Sequence, residues 1–316
     1  MGDALLLLPA LKELFIQSEI SLDILCEPRN ANIFKNLAFV NNIYSYHNPL
    51  SLFFVLLKPY TVVIDTEQFH FLSAIITRLF KTKIKVGFKT NGREKSYTRS
   101  VDYHQDMYEA KMFWRLFSCV ADFKTPFKFH TDYFKTEPVP GKIHDLENKL
   151  VCLFTGASIK ERLWPEKRWA QTIDWLQENN YTPVLIGGQT EIKQCKNITN
   201  KCKKPLLNFC GRLSIAQTVQ LFKKTQFLIS TDSGILHLGV ICNIPTISLF
   251  GPGIAKKWAP KEKKHIVINK NISCSPCTLF GTTLPCPNAR ACLLQITPLD
   301  ITEGISQLFK RAQNYA

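Results

Sequence analysis

Short apolar segments alternate with longer amphipathic segments along most of this chain, and this alternation limits the fold more than any single motif does. It is typical of βαβ units, in which parallel strands are covered by helices. We therefore predict an α/β protein. The predicted strands are Leu22–Cys26, Ile43–Tyr46, Thr61–Ile64 and Ile84–Gly87 in the first half, and Leu150–Phe154, Pro183–Ile186, Leu206–Phe209, Gln226–Ser230 and Thr246–Phe250 in the second.

The same pattern divides the chain into two Rossmann-like, doubly wound domains. Lys135–Lys149 carries two prolines, a glycine and mixed charges, which is linker composition. We expect domains over 1–145 and 146–300 and a C-terminal helix over 301–316. Two such domains imply a cleft, with ligands at the carboxyl ends of the strands. The predicted helices are Asn30–Leu37, Phe71–Phe80, Gln105–Val120, Pro165–Glu178, Glu191–Cys202, Ile215–Lys224 and Gly234–Cys242.

The charge of the chain points to an anionic partner. Forty Lys and Arg residues against 25 Asp and Glu residues give a net charge of +15. An acidic membrane surface, a phosphorylated substrate and a plain solvated basic surface all fit this charge, whereas no nucleic-acid reader motif is present. No apolar segment is long enough to span a bilayer, and no signal-peptide pattern stands at the N-terminus. We therefore expect a cytoplasmic protein.

The segment Phe227–Gly239 contains the strongest candidate site. An apolar strand leads into Thr231-Asp-Ser-Gly234 and then into a helix that Asp232 or Ser233 can cap. Exposed backbone N–H groups at such a helix end bind phosphate, and Gly234 lets a ligand approach closely. His237 follows Ser233 by about one helical turn and lies on the same face. An ordinary capped helix with a half-buried histidine is the alternative.

Two further strand-to-helix loops are predicted at the same edge of this sheet. Phe154-Thr-Gly-Ala-Ser158 is followed by Arg162, which suits the neutralisation of a phosphate but is also compatible with a solvated charge. Ile186-Gly-Gly-Gln-Thr-Glu191 places a carboxylate where it can accept hydrogen bonds from a ribose or favour the helix N-terminus. Three such loops in one domain predict a nucleotide site more strongly than any one of them.

Several of these segments together resemble glycosyltransferase family 9, the heptosyltransferases that build the inner core of lipopolysaccharide. The resemblance is carried by Thr231–Leu238, Ile244–Pro252 and Trp258–Pro260. Gly2–Leu11 is similar to the N-terminal Gly-Asp loop and helix of that family. Further matches, in family order, are Gly156–Ser158, Trp164-Pro165, Gly187-Gly188 with Glu191, and Gly211–Ser214.

The resemblance implies a GT-B fold and a metal-independent, inverting transfer of heptose or a related sugar from ADP-heptose to an anionic, lipid-linked lipopolysaccharide core acceptor. Asp3 would be the general base. In the donor site, Ser158 and Arg162 would hold the diphosphate, Glu191 would contact the nucleoside, Asp232 would hold sugar hydroxyls, and Leu213, Thr231, Ser233, Gly234 and His237 would complete the pocket. Arg162 stands where a lysine is common in the family, which keeps the charge but changes the geometry.

Other features of the sequence leave alternatives open. Family members begin with a β-strand before the Gly-Asp loop, so we expect the first domain to lack that strand and favour a start upstream of Met1. A nucleotide-sugar-binding protein without catalysis, or a transferase for a different nucleotide sugar, remains the alternative function. A Rossmann dehydrogenase is disfavoured, because no G-x-G-x-x-G follows a strand. The basic runs Lys81–Lys95 and Lys256–Lys264 are predicted to face the anionic acceptor or the inner membrane.

Four of the eleven cysteines are clustered near the C-terminus. Cys274, Cys277, Cys286 and Cys292 form a C-x2-C-x8-C-x5-C array. In a reducing cytosol such spacing favours zinc over disulfides, while an iron–sulfur cluster and plain thiols are the alternatives. We predict no metal in the catalytic site and no cofactor besides the nucleotide-sugar substrate. The other seven cysteines are scattered singly, and several are expected to pack as small buried hydrophobes.

Overall fold

The computed structural model describes residues 1–18, 20–35, 37–140 and 149–313, which fall into two compact units. The first comprises Met1 and Asp3–Lys135, and the second comprises Gly2 and the chain from Thr136 onward. The predicted domain boundary near residue 145 lies within 141–148, outside the described residues, and stays a prediction.

The first unit contains two small parallel sheets. Strands β1 and β2 form one sheet, and β3, β4 and β5 form the other. The strands are β1 (Asp23–Cys26), β2 (Asn42–Ser45), β3 (Val62–Asp65), β4 (Ile84–Lys89) and β5 (Arg99–Asp102). The helices are α1 (Gly2–Leu6), α2 (Leu8–Ser18), α3 (Pro28–Phe34), α4 (Pro49–Leu57), α5 (Phe71–Leu79) and α6 (Glu109–Phe117).

The second unit is built on one six-stranded parallel sheet. Its strands are β6 (Leu150–Phe154), β7 (Thr182–Ile186), β8 (Leu207–Asn208), β9 (Thr225–Thr231), β10 (Thr246–Leu249) and β11 (His265–Ile268). The spatial order is β11-β10-β9-β6-β7-β8. The chain therefore builds the sheet outward from β6 to β8, returns to pair β9 with β6, and continues in the other direction. This is the doubly wound order, whose switch point lies between β6 and β9.

Helices connect these strands and continue to the end of the described chain. They are α7 (Glu166–Glu178), α8 (Ile192–Thr199), α9 (Ile215–Phe222), α10 (Gly234–Ile241), α11 (Ala255–Trp258), α12 (Ala291–Leu294) and α13 (Pro298–Gln313). Every residue of β6 is buried, as expected for a strand covered by helices on both faces. Val151 and Ile229 belong to a core that also contains Trp169 and Ile173 from α7.

The α/β fold class predicted from the sequence is confirmed, and each predicted strand is present within two residues of its expected bounds. The predicted C-terminal helix begins earlier than expected, at Pro298, and is described to Gln313. The helix expected from Gln105 begins only at Glu109. The sequence analysis missed α4, α11, α12, β5 and β11, which are short or uniformly apolar.

No helix among the described residues has both the length and the apolar composition needed to cross a membrane.

Candidate nucleotide-binding site

The loops after β6 and β9 meet at the switch point of the second sheet. Phe154 and Ser230 are register partners, so both strands end at the same level. Beyond them, the Thr231 hydroxyl donates a hydrogen bond of 2.6 Å to the carbonyl oxygen of Gly156. Thr231 has no exposed surface. This bond fastens the two loops together and leaves the residues that follow each of them at the edge where doubly wound sheets bind ligands.

Helix α10 begins at this edge. Ser233 is its N-cap, with a hydroxyl that accepts a long bond of 3.4 Å from the Leu236 N–H, and the same hydroxyl lies 3.0 Å from that of Ser230. The structure therefore selects Ser233 over Asp232 as the cap. The first N–H groups of the helix and its positive dipole end suit an anion such as a phosphate.

Arg162 and Asp232 form the charged part of the site. Arg162 ends a 3₁₀ turn at Lys160–Arg162, and its Nη1 lies 3.3 Å from Asp232 Oδ2. The two side chains are 15% and 5% exposed. Among the described residues, Arg162 Nε has no hydrogen-bond partner and is buried. Gly253 lies against the carboxylate of Asp232, so that a Cβ at position 253 would clash with Asp232 Oδ2. The exposed part of the Arg162 side chain can donate a hydrogen bond to a ligand.

His237 lies on α10 and is 3% exposed. Burial, reinforced by the positive charge of Arg162, lowers the pKa of His237 to about 3. The ring is therefore neutral near pH 7, and its Nδ1 has no hydrogen-bond partner within the described part of the chain. His237 can exchange a hydrogen bond with a ligand, but it contributes no positive charge to a phosphate.

Glu191 follows β7, and its carboxylate is used within its own loop. It accepts hydrogen bonds from the Gly188 N–H at 2.7 Å and the Thr190 hydroxyl at 2.6 Å. The side chain also packs on the loop after β6, since a Cβ on Gly156 would lie 2.4 Å from Glu191 Cγ. A glycine at 156 is therefore required for these two loops to approach each other.

The loop after β8 joins the same group. The Gly211 N–H donates to the Gly187 carbonyl oxygen at 2.8 Å, and the Gln189 amide donates to the Gly211 carbonyl oxygen at 2.9 Å. Gly211 has φ of +75°, a conformation that favours glycine. Leu213 follows in this loop and is half-buried. The loops after β6, β7, β8 and β9 thus form one connected edge.

Nine of the ten predicted site residues lie in the second unit, at or just beyond this edge. Ser158 is exposed in the loop after β6, and Gly234 is the first residue of α10. The tenth, Asp3, belongs to the first unit and lies in the first turn of α1 with an exposed side chain. The assignment of roles to these residues stays a prediction.

Lys257 and Glu109 are among the buried charged residues that the sequence analysis missed. Lys257 on α11 has no exposed surface, and its Nζ lies 5.4 Å from the centre of the Trp258 ring. Glu109 in the first unit is also fully buried, and it accepts a 2.9 Å hydrogen bond from the Tyr103 hydroxyl. Burial, together with the charges of Asp3 and Glu67, raises the pKa of Glu109 well above its usual value. Nothing in the residue pattern separates Lys257 from the exposed Lys256 beside it.

The burial of Lys257 also corrects a prediction. The run Lys256–Lys264 was expected to face an anionic surface, but Lys257 is enclosed by the protein. The same holds for Arg93 in the run Lys81–Lys95, because Arg93 has no exposed surface and pairs with Asp65. Charge runs in the sequence did not distinguish these two residues from their solvated neighbours.

The four C-terminal cysteines lie near the loop after β10. The Cys277 N–H donates to the Pro252 carbonyl oxygen at 3.0 Å, and a Cβ on Gly251 would lie 3.1 Å from Cys292 Sγ. Cys274 and Cys277 are exposed, Cys286 is half-buried and Cys292 is buried. Burial, and then the neighbouring thiols, raises the pKa of Cys277. Within the described residues, no group of His, Cys, Asp or Glu has the arrangement needed to hold a metal ion.

One disulfide is present where the sequence analysis expected single buried thiols. Cys195 on α8 is bonded to Cys210, which precedes Gly211. It links α8 to the loop after β8, beside the turn that contains Glu191. The even spread of these cysteines along the chain gave no sign of a pairing.

Comparison with known proteins gives the family. The sequence profile of "Glycosyltransferase family 9 (heptosyltransferase)" matches residues 52–286. Lipooligosaccharide heptosyltransferase 2 of Campylobacter jejuni is 23% identical over 245 residues, which cover 75% of this chain and 72% of that protein.

Two solved structures share the fold. The ADP-heptose lipopolysaccharide heptosyltransferase II of Escherichia coli superposes with a TM-score of 0.76 at 17% identity, over 100% of this chain and 97% of that one. The iron-containing glycosyltransferase TibC of enterotoxigenic E. coli gives a TM-score of 0.62 at 16% identity, over 98% and 73% of the two chains. The profile covers well over half of the chain, and the predicted GT-B fold is confirmed. The chain belongs to glycosyltransferase family 9, the heptosyltransferases, and is a glycosyltransferase enzyme.

Proposed function

We propose that this enzyme transfers heptose, or a closely related sugar, from ADP-heptose to an anionic, lipid-linked lipopolysaccharide core acceptor, with inversion at the anomeric carbon. The observation that carries the proposal is the Arg162–Asp232 pair beside the N-terminus of α10, at the switch point of a doubly wound sheet. The names of the similar proteins supply the sugar and the acceptor class.

The donor side of the reaction requires stabilisation of a leaving diphosphate. Arg162 provides a positive charge, and the first N–H groups of α10 provide hydrogen-bond donors to phosphate oxygens. These groups can take over the charge compensation that a metal ion gives in other transferases, so we propose a metal-independent reaction. His237 is neutral and acts by hydrogen bonding alone. Asp232 accepts hydrogen bonds from sugar hydroxyls.

The acceptor side requires a base. In the proposed step, the Asp3 carboxylate takes the proton of the acceptor hydroxyl while the hydroxyl oxygen forms a bond to the anomeric carbon. The bond from that carbon to the diphosphate oxygen breaks, and ADP leaves with the electron pair. Attack from the face opposite the leaving group inverts the configuration. The Asp3 side chain is exposed to solvent, which supports this role because a base must reach the acceptor hydroxyl.

The net charge of +15 supports an anionic acceptor. A lipid-linked acceptor further implies that the enzyme works as a cytoplasmic protein in peripheral contact with the inner membrane. Exposed lysines such as Lys81 and Lys256 favour such contact by attraction to anionic headgroups.

The test is transfer from ADP-heptose to a lipid-linked core acceptor, with the product configuration read by NMR. Asp3→Ala and Arg162→Ala are expected to lower turnover by at least about a hundredfold. The matched controls Asp122→Ala and Arg311→Ala, which remove exposed residues of the same types, should retain it. Turnover should survive a metal chelator. Binding of ADP-heptose without transfer to any acceptor would contradict the proposal and identify a binding protein, while transfer only from a UDP- or GDP-linked sugar would correct the donor.

A further inference from the structure

Helix α4 exposes an apolar face. Its sequence, Pro49-Leu-Ser-Leu-Phe-Phe-Val-Leu-Leu57, contains no charged residue, yet only Val55 is buried. The exposed side chains are Leu50, Phe53, Phe54 and Leu57, which are 68%, 57%, 60% and 62% exposed. Their spacing of three, four and seven residues places them on one side of the helix.

Helix α5 has the same character. Phe71, Leu72, Ile75 and Leu79 are 47%, 56%, 56% and 58% exposed. Phe71, Ile75 and Leu79 recur every four residues and share one face, with Leu72 at its border. Eight of the sixteen large hydrophobic residues exposed in the described chain therefore belong to these two helices. Scattered exposed leucines need no explanation, but such a concentration marks an interaction surface.

The two helices are neighbours in the first unit. The opposite face of α4 contributes Val55, and that of α5 contributes Ile76, to one small core cluster that also contains Phe80. Leu52 and Leu56 pack against the same cluster. Each helix thus satisfies its inner face within the protein and presents a second, equally apolar face outward. We call the eight exposed side chains, with their two helices, the α4–α5 surface.

The surroundings of the α4–α5 surface are basic. Neither helix contains Asp or Glu, and Arg78, Lys81 and Lys83 are exposed at the C-terminal end of α5. The acidic residues between the helices are engaged internally. Asp65 accepts from Arg93 and Tyr97, and Glu67 accepts from the backbone N–H groups that lead into α5.

These features select one partner. Exposed Phe and Leu side chains beside Lys and Arg are the composition of segments that lie in the headgroup region of a bilayer. Basic residues near the surface add attraction to anionic lipids. A second copy of this chain would bring Arg78, Lys81 and Lys83 against the same residues, and such like-charge contact opposes association.

We propose that the α4–α5 surface inserts into the headgroup region of a membrane that contains anionic lipids. The proposal attributes the membrane contact to an apolar surface and not to charge alone. It rests on the proposed function, in which the acceptor is linked to a lipid. The apolar face supplies the insertion, and the basic rim selects the lipid charge.

The experiment is co-sedimentation of the full chain with vesicles of phosphatidylcholine, with and without phosphatidylglycerol. The wild type is expected to bind the anionic vesicles and to bind the neutral ones more weakly. Phe53→Ser with Phe54→Ser should lower the partition coefficient at least about tenfold on both vesicles. Lys81→Glu with Lys83→Glu should lower it about tenfold on the anionic vesicles only.

Two double leucine variants test whether binding depends on the α4–α5 surface or only on the number of exposed leucines. Leu50→Ser with Leu57→Ser removes two leucines from the α4–α5 surface, and Leu284→Ser with Leu299→Ser removes two that are equally exposed, at 75% and 65%, elsewhere in the chain. Only the first pair should weaken binding. Equal binding by both pairs, or no binding of the wild type to vesicles, would overturn the inference. A concentration-dependent dimer that the Phe53 and Phe54 changes abolish would identify a second copy as the partner instead.

Turnover distinguishes this inference from the proposed function. Transfer to a delipidated, soluble acceptor should be the same in the wild type and in the α4–α5 variants. If soluble transfer occurs without vesicle binding, the inference is wrong and the proposed function stands. If the α4–α5 variants lose vesicle binding but the wild type shows no transfer, the inference stands and the proposed function is wrong.

Discussion

Each of the two units contains an arginine–aspartate pair, and the two arginines differ in exposure and in the groups that their terminal nitrogens contact. Among the described residues, the Nε of each arginine is buried without a hydrogen-bond partner, so the difference lies in the terminal nitrogens. In the first unit, Arg93 Nη2 lies 2.7 Å from Asp65 Oδ2 and 3.1 Å from the Ser73 hydroxyl, and Nη1 donates to the Glu67 carbonyl oxygen. The Tyr97 hydroxyl donates to the same Asp65 oxygen at 2.7 Å. Both charged side chains are at most 3% exposed.

The pair in the second unit is more open. Arg162 approaches Asp232 at 3.3 Å and keeps 15% of its side chain exposed. Arg162 contacts Asp232 through one terminal nitrogen, Nη1, whereas Arg93 forms hydrogen bonds through both of its terminal nitrogens. The Arg93–Asp65 pair is enclosed by groups of the first unit and is a structural element there, whereas the partly exposed Arg162 side chain can donate a hydrogen bond to a ligand.

The largest effect is expected from breaking the fully buried pair of the first unit. Arg93→Ala leaves Asp65 buried without its counter-charge, which should lower the free energy of unfolding by about 3–5 kcal/mol. Urea denaturation measures this change. Arg99→Ala, which removes an exposed arginine of the same unit, should change the free energy of unfolding by less than about 1 kcal/mol. Equal effects of the two substitutions would show that the Arg93 pair has no special structural weight.

Breaking the open pair should affect catalysis as well as stability. Arg162→Ala is expected to lower kcat by about 10²–10³-fold, because a donor to the leaving diphosphate is lost. It also leaves Asp232, which is 5% exposed, without this counter-charge, so the free energy of unfolding should fall too. Steady-state kinetics and denaturation on the same preparation give both numbers. Arg162→Lys keeps the charge and should recover part of the rate. A large loss of stability with unchanged kcat would reverse the assignment of the two pairs.

The position of the candidate site was predicted from the loops that follow the strands, and not from the two arginine–aspartate pairs. Strand-to-helix junctions with small and hydroxyl residues predicted the edge at β6, β7 and β9, because such junctions follow from local backbone chemistry. The pairing of Arg162 with Asp232 depends on which strands become neighbours, and local patterns do not determine that order. Lys257 and Glu109 were missed for the same reason, since their burial comes from distant segments.

The apolar α4 shows a second limit of sequence patterns. A run such as Leu50–Leu57 predicts burial, because hydrophobic residues that lack charged neighbours are normally in a core. The structure instead leaves half of this helix exposed. The spacing of hydrophobic residues alone does not distinguish a helix that is buried on all sides from a helix whose second apolar face is exposed.

A buried histidine beside the open pair gives a pH-dependent test. Burial lowers the folded-state pKa of His237 to about 3, below its unfolded value of about 6.5, so the unfolded chain binds more protons between these two pH values. Stability from this group is therefore present above about pH 6.5 and is lost as the pH falls. Between pH 7 and pH 5, the wild type should lose about 2 kcal/mol more than His237→Gln. His265 is also buried, but it is present in both the wild type and His237→Gln, so its contribution cancels when the two proteins are compared.

The smallest effect concerns two helix caps, one away from the candidate site and one at it. Asn48 caps α4 and accepts hydrogen bonds of 3.0 Å from the Leu50 N–H and 3.2 Å from the Ser51 N–H. Ser233 caps α10 at 3.4 Å. Asn48→Ala should lower the free energy of unfolding by about 1 kcal/mol without changing the affinity for ADP. Ser233→Ala should lower it less but weaken ADP binding. Thermal denaturation and ADP titration test both, and equal affinities in the two variants would contradict this contrast.

We expect the open pair at the switch point of the second sheet to bind the diphosphate of the donor. The most direct test is calorimetric titration of ADP into the wild type, Arg162→Ala and the control Arg311→Ala, which removes an exposed arginine of α13. We expect Arg162→Ala to weaken the affinity for ADP at least about tenfold, because a charged hydrogen bond is lost, and Arg311→Ala to leave it unchanged. Wild-type affinity in a folded Arg162→Ala protein would contradict the claim.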